Sequence, residues 1–98
     1  MGIRERDREC YLVEWYRSNL TEDDFEDTAA RLDECVASMS AQGAPVQVLM
    51  TLAVPADEVV FGVFVAGSAD LVAQVCRLAG LAPQRLTATL DARIPGPD

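Results

Sequence analysis

The sequence predicts an α+β fold, with a four-stranded antiparallel sheet and two helices on one face, in the order βαββαβ. Two segments show helical spacing of apolar residues, and four shorter segments show the apolar or alternating pattern of strands. The helices are residues 22–41 and 69–79, and the strands are residues 10–17, 46–54, 59–66 and 86–93. Only four residues separate the second and third strands, which is typical of a hairpin.

The third strand is predicted to be central in the sheet. Residues 59–66 are eight consecutive apolar residues, rich in β-branched and aromatic types, as expected for a strand buried on both faces. In the first strand Tyr11, Val13 and Trp15 alternate with other residues, and we expect these three to face the core. In the second strand alternation places one apolar set on the core face: Val46, Val48, Met50, Leu52 and Val54.

Both helices begin after a residue that can cap them. Thr21 precedes three acidic residues in the first turn of its helix, where the helix dipole favours negative charge. Ser68 precedes the second helix in the same way. Gly43 and Pro45 stop the first helix, and Gly80 supplies the left-handed residue that ends the second.

Right-handed crossovers place both helices on the same face of the sheet, which is the ferredoxin-like arrangement. We expect this domain to span residues 10–94, after a flexible lead-in of residues 1–9 and before a C-terminal tail of residues 95–98. The other face of the sheet is left uncovered. Domains of this topology often pair such faces in a dimeric α+β barrel, and by this analogy we expect a homodimer.

Composition excludes several classes of function. The net charge of −8 repels a polyanion, so nucleic acid is not an expected partner. No apolar segment approaches the roughly 20 residues that cross a bilayer, and the N-terminus lacks the apolar stretch of a signal peptide, so we expect a cytoplasmic protein that does not bind membranes. The three cysteines lack CxxC spacing, which predicts free thiols rather than a disulfide framework or zinc site.

The chain also contains no histidine, so it has no Ser/His or Cys/His nucleophile pair. It has no glycine-rich loop of the kind that holds a phosphate or dinucleotide, and we expect no cofactor.

The candidate site is the uncovered face of the sheet. Polar and apolar side chains mix there, which fits a partner sheet or a pocket for a small ligand. A carboxylate at Glu14, within a strand, has to be solvated, paired or functional. We expect a pocket for a small hydrophobic ligand, lined by Glu14, Tyr16, Gln47, Thr51, Thr87 and Asp91. The uniformly apolar third strand leaves open which of its two sets joins this face.

Several segments resemble a family of small bacterial nickel-binding proteins with a ferredoxin-like fold. The matching residues are YLVE at 11–14, FGVF at 61–64, AGSA at 66–69, Val75, Gly80 and Pro83. The resemblance implies this fold and places nickel-binding histidines of the family at Glu14, Cys76 and Leu81. Because this chain has no histidine and leucine cannot coordinate a metal, we expect no metal site of that kind. Glu14 and Cys76 remain as candidate ligands, and for Cys76 we favour the role of a small core residue.

Three functions remain open from the sequence. The first is a small ligand-binding homodimer, the second a cofactor-free barrel monooxygenase or isomerase that uses Glu14 as a base on a hydrophobic substrate. The third is a regulatory or protein-interaction module that binds another chain through its open sheet.

Overall fold

The computed structural model describes residues 9–89. Its elements are β1 (Glu9–Tyr16), α1 (Glu22–Ala41), β2 (Val46–Val54), β3 (Val59–Ala66), α2 (Ala69–Leu78) and β4 (Arg85–Thr89). A single 3-10 turn, Pro55–Asp57, connects β2 to β3. The predicted tail, the end of the predicted fourth strand and the lead-in up to residue 8 lie outside the described residues, and Glu9 already belongs to β1.

The four strands form one antiparallel sheet in the order β2-β3-β1-β4, which confirms the predicted fold class. β3 is a central strand, as its apolar sequence predicts. The core contains apolar residues of both helices, such as Leu32 and Val75, together with one face of the central strands, including Val13, Val60 and Phe64. Within residues 9–89, neither helix combines the length and the apolar character needed to cross a bilayer.

The caps predicted for both helices are present. Thr21 Oγ1 accepts a hydrogen bond from the Asp24 N–H at 3.0 Å, and Asp24 Oδ2 accepts one from the Thr21 N–H at 3.3 Å, which completes a capping box. Ser68 Oγ accepts a 3.3 Å hydrogen bond from the first turn of α2. Gly43 and Gly80 follow the two helices with φ of +89° and +77°, the left-handed conformation that glycine adopts without strain.

Trp15 fastens β1 to the chain that follows α2. The side chain is 2% exposed, and its Nε1–H donates a 2.7 Å hydrogen bond to the carbonyl oxygen of Leu81. Its six-membered ring lies against Gly62 of β3. A Cβ at Gly62 would stand 3.0 and 3.1 Å from two ring carbons of Trp15 and 2.9 Å from Cε1 of Phe64. The sheet therefore needs a residue without a side chain where the indole crosses it.

The edge strand β2 contains a β-bulge. Val48 pairs with Phe64, yet Met50 pairs with Val63, the very next residue along β3. Leu49 is therefore an extra residue in β2 that has no partner of its own in the ladder. Because side chains alternate with a period of two, one inserted residue reverses the facing of everything that follows it in the strand.

Because of the bulge, the predicted facing of the second half of β2 is wrong. Met50, Leu52 and Val54 do not face the core as the alternation predicts; they pair with the β3 residues that point away from the helices. Thr51 and Ala53 take the helix side instead. Two large apolar side chains are thereby exposed, Met50 at 46% and Leu52 at 48%.

Candidate functional site

The candidate site is the face of the sheet opposite the helices, which we term the open face. Residues that pair directly across antiparallel strands share a face, so the register defines its members. It has four rows, given from β2 through β3 and β1 to β4: Gln47, Val65, Cys10 and Thr89; Met50, Val63, Leu12 and Thr87; Leu52, Phe61, Glu14 and Arg85; and Val54, Val59 and Tyr16.

The β2 and β3 half of the open face is apolar. Met50 and Leu52 are each nearly half exposed, and Phe61 and Val63 lie beside them, partly exposed. Contiguous exposed apolar side chains are rare on the surfaces of soluble proteins, and where they occur they mark an interaction surface or a ligand site.

The β1 and β4 half carries polar groups gathered around Glu14. Glu14 lies within a central strand, and its side chain is largely buried, with 15% of its surface exposed. Tyr16 Oη donates a 3.2 Å hydrogen bond to Glu14 Oε1, and Arg85 Nε lies 3.8 Å from Glu14 Oε2. The second distance is too long for a hydrogen bond, so the contact is an ion pair without one. The Arg85 side chain is 64% exposed, which leaves its guanidinium accessible to a further group.

Gln84 hydrogen-bonds to the backbone of both Glu14 and Tyr16. Its Oε1 accepts a 2.6 Å hydrogen bond from the Tyr16 N–H, and its own N–H donates a 3.0 Å hydrogen bond to the Glu14 carbonyl oxygen. The chain that enters β4 is thus tied to the end of β1. Because Glu14 and Tyr16 are held by their backbone as well as by each other, the polar cluster is built on rigid strands rather than on a loop.

Three of the predicted pocket residues lie together. Glu14 and Tyr16 are in contact, and Thr87 occupies the row next to Glu14 on the adjacent strand. Gln47 is on the open face as predicted, but it lies on β2, at the opposite edge of the sheet. Gln47 therefore does not belong to the polar cluster.

Thr51 is not on the open face, and the prediction that it lines the pocket is wrong because the bulge turns it to the helix side. Asp91 lies outside the described residues. Sequence reasoning also missed Arg85, because it began the fourth strand at Leu86, one residue too late. The signal was present, since an antiparallel strand that begins one residue earlier places Arg85 opposite Glu14, a favourable cross-strand pair of opposite charge.

The two candidate metal ligands lie on opposite faces of the sheet. Cys76 is fully buried among core residues of the helix layer, whereas Glu14 is on the open face. Burial raises the pKa of the Cys76 thiol to about 12, with only a partial opposing effect from Arg77, so the sulfur remains a neutral thiol. Across residues 9–89, no three acidic or cysteine side chains are grouped closely enough to hold a metal ion.

Comparison with known proteins supports the fold. No protein-family model and no curated protein matches the chain. A crystal structure of SCO4226 from Streptomyces coelicolor A3(2) is similar, with a TM-score of 0.73 over 85% of this chain and 99% of that one, at 16% sequence identity. At this identity the likeness concerns architecture, and function has to be argued from the site.

Proposed function

We propose that the protein is a homodimer that pairs its open faces and encloses a small hydrophobic ligand beside Glu14. The observation on which this rests is the composition of the open face, where exposed apolar side chains adjoin a fixed polar cluster on the same sheet. Binding pockets combine these two features, an apolar lining with a few fixed polar groups that orient the ligand.

The distribution of charge favours a second copy as the partner of this face. The chain has a net charge of −8, so two copies repel each other over most of their surface. Among the paired strand residues of the open face, Glu14 and Arg85 are the charged ones, and they are oppositely charged. The first turn of α1 alone has three acids, and it lies in the other layer. Face-to-face association therefore keeps the acidic α1 helices of the two copies apart.

The two halves of the open face have different roles in this proposal. The apolar half, with Met50 and Leu52, packs against the partner and supplies most of the favourable transfer free energy. The polar half, with Glu14, Tyr16 and Arg85, orients the hydrogen-bonding group of the ligand. An enzyme that uses Glu14 as a base would use the same pocket. Turnover of the bound compound distinguishes such an enzyme from a protein that only binds it.

The dimer is tested by light scattering after size-exclusion chromatography of the untagged protein and two matched variants. Leu52→Asp places a carboxylate in the proposed interface, and we expect it to weaken the dimer at least about tenfold, since a charge at an apolar contact is left unpaired. Leu78→Asp makes the same change at a leucine of α2 that is 61% exposed, and we expect it to leave association unchanged. A wild type that is monomeric at high concentration, or equal effects of both variants, contradicts the proposed interface.

The ligand is tested by native mass spectrometry of the same samples, with metal analysis alongside. We expect the dimer to carry an organic mass that Leu52→Asp loses together with the dimer. A dimer that is empty after gentle purification, and that takes up none of a set of small hydrophobic acids, amines and ketones, contradicts the ligand proposal while leaving the interface standing.

A further inference from the structure

The strand β2 forms an edge of the sheet that is unusually open to another strand. In the sheet formed by residues 9–89, β2 pairs with β3 on one side only. Its nine residues, VQVLMTLAV, include no charged side chain and no proline, although Pro45 and Pro55 lie directly before and after it. Proteins commonly blunt exposed edges with charges or proline because unpaired backbone groups attract other strands. β2 uses only a bulge for this purpose.

A groove lies beside the C-terminal half of this edge, between the strand and the start of α1. Its volume is about 330 Å³, at the small end of the range of about 300 to 1,000 Å³ for ligand pockets, which suits one large apolar side chain. Its lining is Leu20, Thr21, Glu22, Phe25, Thr51, Leu52, Ala53 and Pro55. The bulge helps to build it, because the reversed facing brings Thr51 and Ala53 to the helix side.

The bulge also limits the length of strand that this edge can accept. It interrupts the ladder between Val48 and Met50. In this half of the edge, an added strand can therefore pair regularly only alongside residues 50–54. A long strand of a folded neighbour would be out of register beyond the bulge. A short extended peptide of about five residues fits this half of the edge.

Charge around the groove favours a basic partner over a second copy. Glu22 lines the groove, and Asp23 and Asp24 complete an acidic first turn of α1 directly beside it. Edge-to-edge pairing of two copies through β2 would bring two such acidic helix ends toward each other, which costs free energy through like-charge repulsion. A peptide with lysine or arginine beside an apolar residue has the complementary charge.

We propose that the C-terminal half of β2 and the adjoining groove bind a short, extended peptide by strand addition, with an apolar side chain in the groove and basic residues beside Glu22. The backbone pairing supplies affinity, and the groove with its acidic rim supplies selectivity, as in other strand-addition sites. This site is separate from the polar cluster of the open face and requires neither the dimer nor the ligand.

The test is a titration of ¹⁵N-labelled protein with blocked pentapeptides of sequence Lys-Val-X-Val-Lys, where X is leucine, phenylalanine or tryptophan. We expect at least one of them to bind with a Kd of about 1 mM or tighter and to shift the amides of residues 20–25 and 51–54. We expect at least about fivefold weaker binding of peptides with glutamate in place of lysine, because they lose the charge complementarity with Glu22. We expect at least the same weakening for peptides N-methylated at the central residue, because N-methylation removes a backbone hydrogen bond of the strand pairing.

A matched pair of protein variants localises the charge effect. Glu22→Gln should weaken the lysine peptides about two- to fivefold, the range expected for an exposed ion pair. Glu34→Gln removes the same charge three turns further along α1 and should not change binding. The proposal is overturned if none of the three peptides binds at millimolar concentration, if the shifts fall on the open face at Phe61 and Val63 instead, or if glutamate peptides bind equally well.

Discussion

Replacing Gly62 by alanine tests the packing of the central strands, because the structure gives the new methyl group no room. The Cβ would stand 2.9 Å from Phe64 and about 3 Å from two ring carbons of Trp15. Such distances are shorter than normal contacts, so a ring has to move. Trp15 resists movement, since its indole N–H is bonded to the Leu81 carbonyl oxygen at 2.7 Å.

The expected cost follows from three contributions. Overpacking of a core by one methyl group costs about 1 to 3 kcal/mol. Displacing the indole weakens a buried hydrogen bond that is worth about 1 kcal/mol. Alanine recovers about 0.5 to 1 kcal/mol, because glycine loses more backbone entropy on folding. We therefore expect Gly62→Ala to lower the free energy of unfolding by about 1 to 3 kcal/mol, and the Tm by about 4 to 8 °C for each kcal/mol.

The assay is urea unfolding followed by far-UV circular dichroism, in the wild type and in a Trp15→Phe background. Phenylalanine lacks the ring atoms that the new methyl group would meet, so Gly62→Ala should cost about 1 kcal/mol less there. Gly43→Ala is the control, since φ of +89° makes it unfavourable while nothing lies within 4 Å of its Cβ. Its cost should be the same in both backgrounds. A neutral Gly62→Ala would refute the contact argument as a whole, and an equal cost in both backgrounds would refute the part assigned to Trp15, because the contact with Phe64 remains in both.

Three further changes have calculable effects on stability, all measurable by urea unfolding. Thr21→Ala should cost about 1 kcal/mol because it removes the capping-box acceptor, whereas Thr21→Ser should not. Cys76→Ala should reduce the loss of stability that the wild type shows above pH 9. Burial raises the pKa of the folded Cys76 thiol to about 12, so the stabilisation from the neutral thiol is fully present below pH 9, and up to about 2 kcal/mol of it is lost by about pH 10.5 as the thiol of the unfolded chain ionises. Equal slopes of stability against pH in both proteins would contradict this. Arg85→Ala should change stability by less than about 0.5 kcal/mol, because the 3.8 Å pair is largely solvated on the arginine side; a larger loss would mean that Glu14 depends on it.

Most of the fold could be predicted because its signals are local. The caps at Thr21 and Ser68 and the left-handed glycines mark helix ends through interactions within a few residues of the chain. Burial along α1 was harder to predict. Thr28 is 1% exposed although it is polar, because its hydroxyl donates a 2.9 Å hydrogen bond to the Asp24 carbonyl oxygen of the same helix. Sequence patterns predict that such a polar residue is exposed, but it can be buried because its hydrogen bond is made within its own helix.

The bulge could not be predicted, and with it the facing of residues 50–54 in β2 was misassigned. β2 is apolar on both alternations, since Leu49 and Ala53 accompany the predicted core set, so periodicity does not fix its register. No glycine marks the bulge either. The choice is made by packing against β3 and α1, which is a tertiary effect. By contrast, Glu14 and Tyr16 were assigned to the correct face, because the aromatic and aliphatic set on the other side of β1 leaves only one arrangement.

The strand order also sets the timing of assembly during synthesis. Of the four strands described, β1 is the first to leave the ribosome, yet it belongs in the middle of the sheet, between β3 and β4. The 42 residues of positions 17–58 separate it from its first partner, which at about 5 to 20 residues per second amounts to a delay of about 2 to 8 s. The β2–β3 hairpin can close at once, because its strands are neighbours in the chain. Insertion of β1, with its long-range contacts, is therefore the step expected to limit the folding rate.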